Sequence, residues 1–249
     1  MKTKMIRYTI VVFCVISILF ALIKVLSPAK KMNTYLAIGD YLSVSGNLKG
    51  EEINSFSNIL GDYLINNDFV DVSNYNYAKS SIDSAMLLEM ICKETYSGKD
   101  DGLTSLIKDS KYITISVGMN DIAKYIRFDS NNQNIEYDKE YIKRKLEIMK
   151  QNYFEIIDEI KELNNGVSVY LVSYYSPFSW VNEENKSRVN EVFEMLNESI
   201  KEVSELMDVY YVDISEVSKE ENMYSKHQIY LNQLGHEYVF SVFRNNYFN

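Results

Sequence analysis

Short apolar runs separated by longer stretches of helical periodicity constrain this chain more than any other feature. The runs at 34–38, 70–72, 112–117, 167–172 and 209–212 are rich in β-branched and aromatic residues and have the length of buried strands. Amphipathic stretches at 51–65, 82–92, 139–163 and 183–207 lie between them, and a last one spans 233–243. Within 139–163, Ile142, Leu146, Met149, Tyr153, Ile156, Ile157 and Ile160 recur at three- and four-residue steps and define one apolar face. Asn164-Asn165-Gly166 then offers a stop at a residue that tolerates a left-handed backbone. Strands that alternate with helices are joined by crossovers and pair in parallel. The pattern therefore predicts an α/β fold, a three-layer α/β/α sandwich on a five-stranded parallel sheet. No internal repeat or low-complexity tract interrupts it.

Ligands of such sheets sit beyond the carboxyl ends of the strands. Five segments fall on that rim: 39–43, 74–81, 118–121, 174–180 and 214–230. Four of them carry recognisable motifs. Gly39-Asp40-Tyr41-Leu42-Ser43 follows the first run, and Asn76-Tyr77-Ala78-Lys79-Ser80-Ser81 follows the second. Gly118-Met119-Asn120-Asp121 follows the third, and His227-Gln228-Ile229-Tyr230-Leu231-Asn232-Gln233-Leu234-Gly235 precedes the last helix.

Together these motifs resemble the SGNH/GDSL hydrolases over nearly the whole of 34–249, which implies a flavodoxin-like sandwich of the SGNH-hydrolase type. The resemblance implies a nucleophilic serine at the position held by Tyr41. It implies a glycine backbone N–H, as oxyanion donor, at the position held by Ser81. Asn120 stands at the family's second oxyanion donor, unchanged. The Leu-Asn-x-x-Gly anchor at 231–235 sets the register of the last motif. It places His227 where the family has its acid and Tyr230 where it has its general base. The binding positions implied are Asp40, Tyr41, Ser80, Ser81, Asn120 and Tyr230.

Acyl transfer by this route needs a hydroxyl, an imidazole to take its proton, and a carboxylate to orient the imidazole. A phenol with a pKa near 10 is protonated at neutral pH and is neither an activated nucleophile nor a base. The expected activity is therefore binding without turnover, a pseudoenzyme reading with no confident catalytic residue. An active GDSL-type esterase or acyltransferase with a rearranged site is the alternative, with His227 as its base. A structural subunit of a membrane complex is a third reading. Ser43 and Ser45 are weighed as displaced nucleophiles against simple turn or helix-start hydrogen bonding, and the second reading is preferred. His236 is expected to pack. The group Tyr174, Tyr175, Phe178 and Trp180 is expected to pack a loop rather than stack on sugar rings.

Composition closes off other classes. A net charge of −9 argues against a nucleic-acid partner, which would need a basic surface. The two histidines, His227 and His236, and the two cysteines, Cys14 and Cys92, make no metal-type spacing, and no cofactor is implied. The stretch 8–23 carries no charge and is preceded by Lys2, Lys4 and Arg7. It predicts a single membrane helix over 1–26, a linker at 27–33, and a domain at 34–249 outside the cytoplasm, with a cleaved signal peptide as the alternative. The resemblance makes a cell-envelope glycan or a protein the expected partner.

Overall fold

The run Thr-Tyr-Leu-Ala-Ile-Gly forms strand β1 (Thr34–Gly39), and every residue in it is buried. A run apolar on both faces belongs in the middle of a sheet covered on both sides. The computed structural model describes residues 32–48, 51–97, 102–128, 135–176, 181–219, 221–224 and 230–248. The expected membrane segment at 1–26 lies outside them. Among the described residues no helix is long and apolar enough to cross a membrane.

After β1 a short antiparallel hairpin, β2 (Gly46–Leu48) and β3 (Glu51–Ile53), leads into helix α1 (Phe56–Asn66). Strand β4 (Val72–Ala78), helices α2 (Ser84–Ser97) and α3 (Leu103–Asp109), and strand β5 (Ser110–Ser116) follow. A single turn of helix, α4 (Met119–Ile122), precedes a second hairpin, β6 (Arg127–Phe128) and β7 (Ile135–Glu136). The chain ends with α5 (Lys139–Leu163), β8 (Ser168–Val172), α6 (Glu183–Leu206), β9 (Tyr210–Val212) and α7 (Gln233–Tyr247). The main sheet has five strands in the order β4-β1-β5-β8-β9, and all its pairings are parallel. Counted along the sheet strands alone this is the 2-1-3-4-5 order of the flavodoxin-like fold, with its switch point between β1 and β5. Helix α1 packs on α7, while α5 packs on both α2 and α6, so the expected sandwich is present.

Helix α5 has the expected limits, and its buried side chains include all seven residues of the expected apolar stripe. Asp138 caps its start by accepting from the Tyr141 N–H at 3.0 Å. Its stop differs from expectation. Asn164 is extended, with φ −155°, and its side chain donates to the Ile107 and Ser110 carbonyls at 2.9 and 2.7 Å. A side-chain tether thus replaces the expected left-handed residue.

Two other boundaries moved. The expected helix at 51–65 starts only at Phe56, because Glu51–Ile53 pairs in the hairpin and Ser55 caps the helix from the Asn58 N–H. The expected strand at 70–72 is instead Val72–Ala78, a half-buried edge strand. Its Ser, Asn and Tyr residues hide it from an apolar-run criterion, although Tyr77 and Ala78 pair with Ile38 and Gly39. Helix α3 was not visible as a separate periodicity.

Candidate functional site

The carboxyl end of β1 is drawn tightly against that of β5. The Asp40 N–H donates to the Ser116 carbonyl at 2.7 Å, and the two hydroxyls of Ser43 and Ser116 lie 2.7 Å apart. A Cβ at Gly39 would lie 2.1 Å from Ser116 Oγ, so only glycine allows this approach. Ser43 is fully buried in that bond and closes the turn through its N–H to the Asp40 carbonyl at 3.1 Å. It is a turn residue, not a displaced nucleophile. Ser45 is likewise committed: its hydroxyl donates to Asn58 Oδ1 at 2.8 Å and accepts from the Ser55 N–H at 2.9 Å.

Asp40 lies beneath the turn with no exposed surface. Its Oδ1 accepts from the Leu42 N–H at 3.1 Å and its Oδ2 from the Tyr174 hydroxyl at 2.6 Å. Burial pushes its carboxyl up to about 7, against the pull of those hydrogen bonds. Tyr174 is held in turn by Asn197, which accepts from its N–H at 2.8 Å and donates to its carbonyl at 2.7 Å.

Tyr41 points its ring into this frame. It is 9% exposed and meets Tyr230 edge to face, with ring centroids 5.6 Å apart. Tyr174 lies 6.4 Å away on another side. Burial, then the charges of Tyr175 and Asp40, hold the Tyr41 phenol well above its ordinary value. The group at the implied nucleophile position is therefore a neutral, largely buried phenol. Tyr230 is 43% exposed and forms part of the mouth.

The third motif is built around Gly118, whose φ of 139° disfavours any side chain. That turn aims Asn120 at the loop after β4 rather than into an open space. Asn120 Nδ2 donates to the Ser80 carbonyl at 3.0 Å and the Ile82 carbonyl at 2.8 Å, which uses both amide protons. Asp121 Oδ2 accepts from the Ser84 N–H at 3.0 Å, and Oδ1 from the Ser84 hydroxyl at 2.5 Å. Burial holds the Asp121 carboxyl above its ordinary value. Together Asn120 and Asp121 fasten the second motif to the third.

A cavity of about 210 Å³ opens between the first and last motifs. Tyr41, Ser80 and Tyr230 line it, joined by Leu42, Val44, Ile53, Leu231 and His236. Asp40, expected among the binding positions, is fully buried and is not part of its wall. Ser81 and Asn120, expected to face the same cleft, are absent from its wall: Ser81 is exposed elsewhere and Asn120 is spent on backbone. His227 lies outside the described residues, as do Phe178 and Trp180. Tyr174 and Tyr175 are buried and pack as expected.

His236 is the wall residue for which the sequence offered only a packing role. It is 4% exposed, and its Nδ1 accepts from the Phe56 N–H at 3.1 Å. Burial lowers its pKa to about 4. The ring is neutral, with its proton on Nε2, and the one nitrogen able to accept a proton is occupied. Its place directly after the Gly235 anchor was the available signal. Among the described residues no serine is hydrogen-bonded to an imidazole, and no group of His, Cys, Asp and Glu is arranged to hold a metal. The arrangement suits the binding of a small group with an apolar body and polar edge.

A model of the GDSL-like Lipase/Acylhydrolase family matches residues 50–238. The match takes in the second, third and last motifs and begins after Tyr41. The uncharacterized protein YpmR of Bacillus subtilis (strain 168) is 32% identical over 119 residues, which are 46% of this chain and 40% of that relative. The chain thus spans well under half of that relative's length. Among solved structures, the lipase Lip_vut3 from a goat rumen metagenome superposes with a TM-score of 0.66 at 18% identity, covering 86% of this chain and 96% of that one. Axe2, an acetylxylan esterase from Geobacillus stearothermophilus, gives 0.56 at 15% identity, covering 86% and 93%. At such identities the likeness is one of fold.

Proposed function

The chain belongs to the GDSL-like lipase/acylhydrolase family, and from that premise we propose that it is a member that binds a ligand without turning it over. The observation that carries the proposal is the state of Tyr41. It is a neutral phenol held between Tyr230 and Tyr174, and among the described residues no carboxylate or imidazole is hydrogen-bonded to its hydroxyl. The Asn120 amide supports the same reading, since an oxyanion would have to compete with two carbonyls for its protons.

The ligand we propose is an acetyl- or short-acyl-bearing glycan of the cell envelope. A cavity of about 210 Å³ is smaller than the ~300–1,000 Å³ of pockets for drug-sized ligands, so it suits a short group and not a fatty chain. The half-exposed Tyr230 at its mouth offers a ring face to a sugar. Axe2 is an acetylxylan esterase, and this chain shares its fold. We further propose that segment 1–26 holds the domain at the outer face of a membrane. N-terminal sequencing of protein extracted from membranes tests that point, and a mature start near residue 30 would refute it.

The full chain in a nonionic detergent is the material for the main test. It is expected not to hydrolyse p-nitrophenyl acetate above an enzyme-free control, and to bind acetylated but not deacetylated oligosaccharide in calorimetry. Tyr230→Ala is expected to weaken that binding about tenfold, the loss of one aromatic contact worth ~1.4 kcal/mol. Hydrolysis that disappears in His227→Ala would replace this reading by an active esterase with a rearranged site.

A further inference from the structure

In this acidic chain of net charge −9, Lys124, Arg127, Arg144, Lys145 and Arg188 cluster on one face among the described residues. It lies where the third motif runs on into the β6–β7 hairpin and the start of α5. Three tyrosines form its base. Tyr125 and Tyr141 meet edge to face with centroids 4.8 Å apart, and cations surround them. Lys124 and Lys145 lie 5.4 and 5.2 Å from the Tyr125 centroid, and Arg144 and Lys145 each lie 5.2 Å from that of Tyr141. Arg188 lies 5.4 Å from the Tyr137 centroid. These distances are within the ~6 Å range of a cation–π contact.

Lys124, Arg127, Arg144 and Arg188 are exposed. None of these four, nor Lys145, forms an ion pair with a described carboxylate, whereas Lys139 and Lys143 beside them pair with Glu191 and Glu140. Tyr125 takes contacts from both Lys124 and Lys145. Desolvation pushes its phenol up, yet hydrogen bonds from Lys145 and Tyr141 and the charges of Lys124 and Lys145 bring it below its ordinary value. An open cleft of about 410 Å³ runs along this face between Lys124, Arg127 and the tyrosines. Two carboxylates also line it. Asp138 is committed to the cap of α5, and Glu136 stands opposite Arg127 in the hairpin.

We propose that this face is a second binding site, for a polymer chain bearing repeated phosphate groups. Cations over tyrosine rings with no ion pair to a described carboxylate are held in place but keep their charge for a ligand. Guanidinium groups such as those of Arg127 and Arg144 match phosphate oxygens two at a time. The cations are spread around three rings and do not converge on one point, which suits a repeating anion better than a single phosphate. The open cleft beside Lys124 and Arg127 suits a chain better than a flat bilayer. The site is separate from the Tyr41 cavity and does not depend on its proposed ligand.

The test is a titration of the full chain in nonionic detergent with medium-length inorganic polyphosphate. Three neutralised phosphates at ~0.7 counterions each predict binding about 20-fold weaker at ~200 mM than at ~50 mM salt. Lys124→Gln/Arg127→Gln/Lys145→Gln is expected to lower affinity at least tenfold. Lys93→Gln/Lys201→Gln/Lys219→Gln removes the same charge elsewhere and is expected to change it less than twofold. Arg127→Gln alone, at an exposed position, is expected to lose about threefold and guards against misfolding of the triple variant. Equal losses in the two triple variants would reduce the effect to net charge and overturn the site. So would binding to anionic lipid vesicles without binding to polyphosphate, or binding to neither.

Discussion

Asp40 provides the sharpest test of the physical account of the site. Its carboxyl is fully buried and pushed from an ordinary 3.8 up to about 7. A carboxyl with a raised folded pKa binds its proton more tightly in the folded state than in the unfolded one. Stability is then undiminished below the unfolded value and falls as pH rises from about 4 to about 7. Each tenfold change in proton affinity is ~1.4 kcal/mol, so the full loss is up to about 4 kcal/mol at pH 8. Asp40→Asn removes the titration and keeps the bonds: its Oδ1 still accepts from the Leu42 N–H, and its amide can donate to the Tyr174 oxygen. Thermal melts of both proteins at pH 4.5, 6 and 8, followed by circular dichroism, measure the effect. The variant's advantage over wild type is expected to grow by roughly 10 °C between pH 4.5 and 8, at ~2–4 °C per kcal/mol for a domain of this size. Comparing the two proteins cancels the titration of all other groups. A gap that does not change with pH, or that shrinks as pH rises, would refute the claim that burial outweighs hydrogen bonding at Asp40.

Three further outcomes are expected. His236, lowered to about 4, is neutral in the fold, so stability is complete above about pH 6.5 and falls as pH drops from there toward 4; His236→Asn, keeping an acceptor for the Phe56 N–H, should flatten that slope in urea titrations at pH 4.5 and 7. Gly39→Ala should destabilise the fold by about 3 kcal/mol or more in urea, because its Cβ meets both the hydroxyl and the carbonyl of Ser116. Asn120→Ala should cost about 1–3 kcal/mol of stability by freeing the Ser80 and Ile82 carbonyls; an unchanged midpoint would mean that the amide does not fasten the loop.

The sequence by itself determined the architecture. A run apolar on both faces, such as 34–38, has one place to go, the interior of a sheet covered on both sides, and amphipathic stretches between such runs dictate parallel crossovers. It also placed a tyrosine in the turn after β1, where the resemblance implies a nucleophile, since residue identity there is read directly. What it could not reach was orientation. Asn120 occupies the expected position, but whether its amide faces a cleft or two carbonyls depends on where the loop after β4 comes to rest, and that loop is forty residues away in the chain. The edge strand β4 hid among polar residues because only its pairing with β1, not its own composition, makes it a strand. His236 became a cavity wall because α1 arrives with an unbonded Phe56 N–H at its start, 180 residues away. Local periodicity is a property of neighbours in sequence, whereas hydrogen-bond direction and burial are decided by neighbours in space.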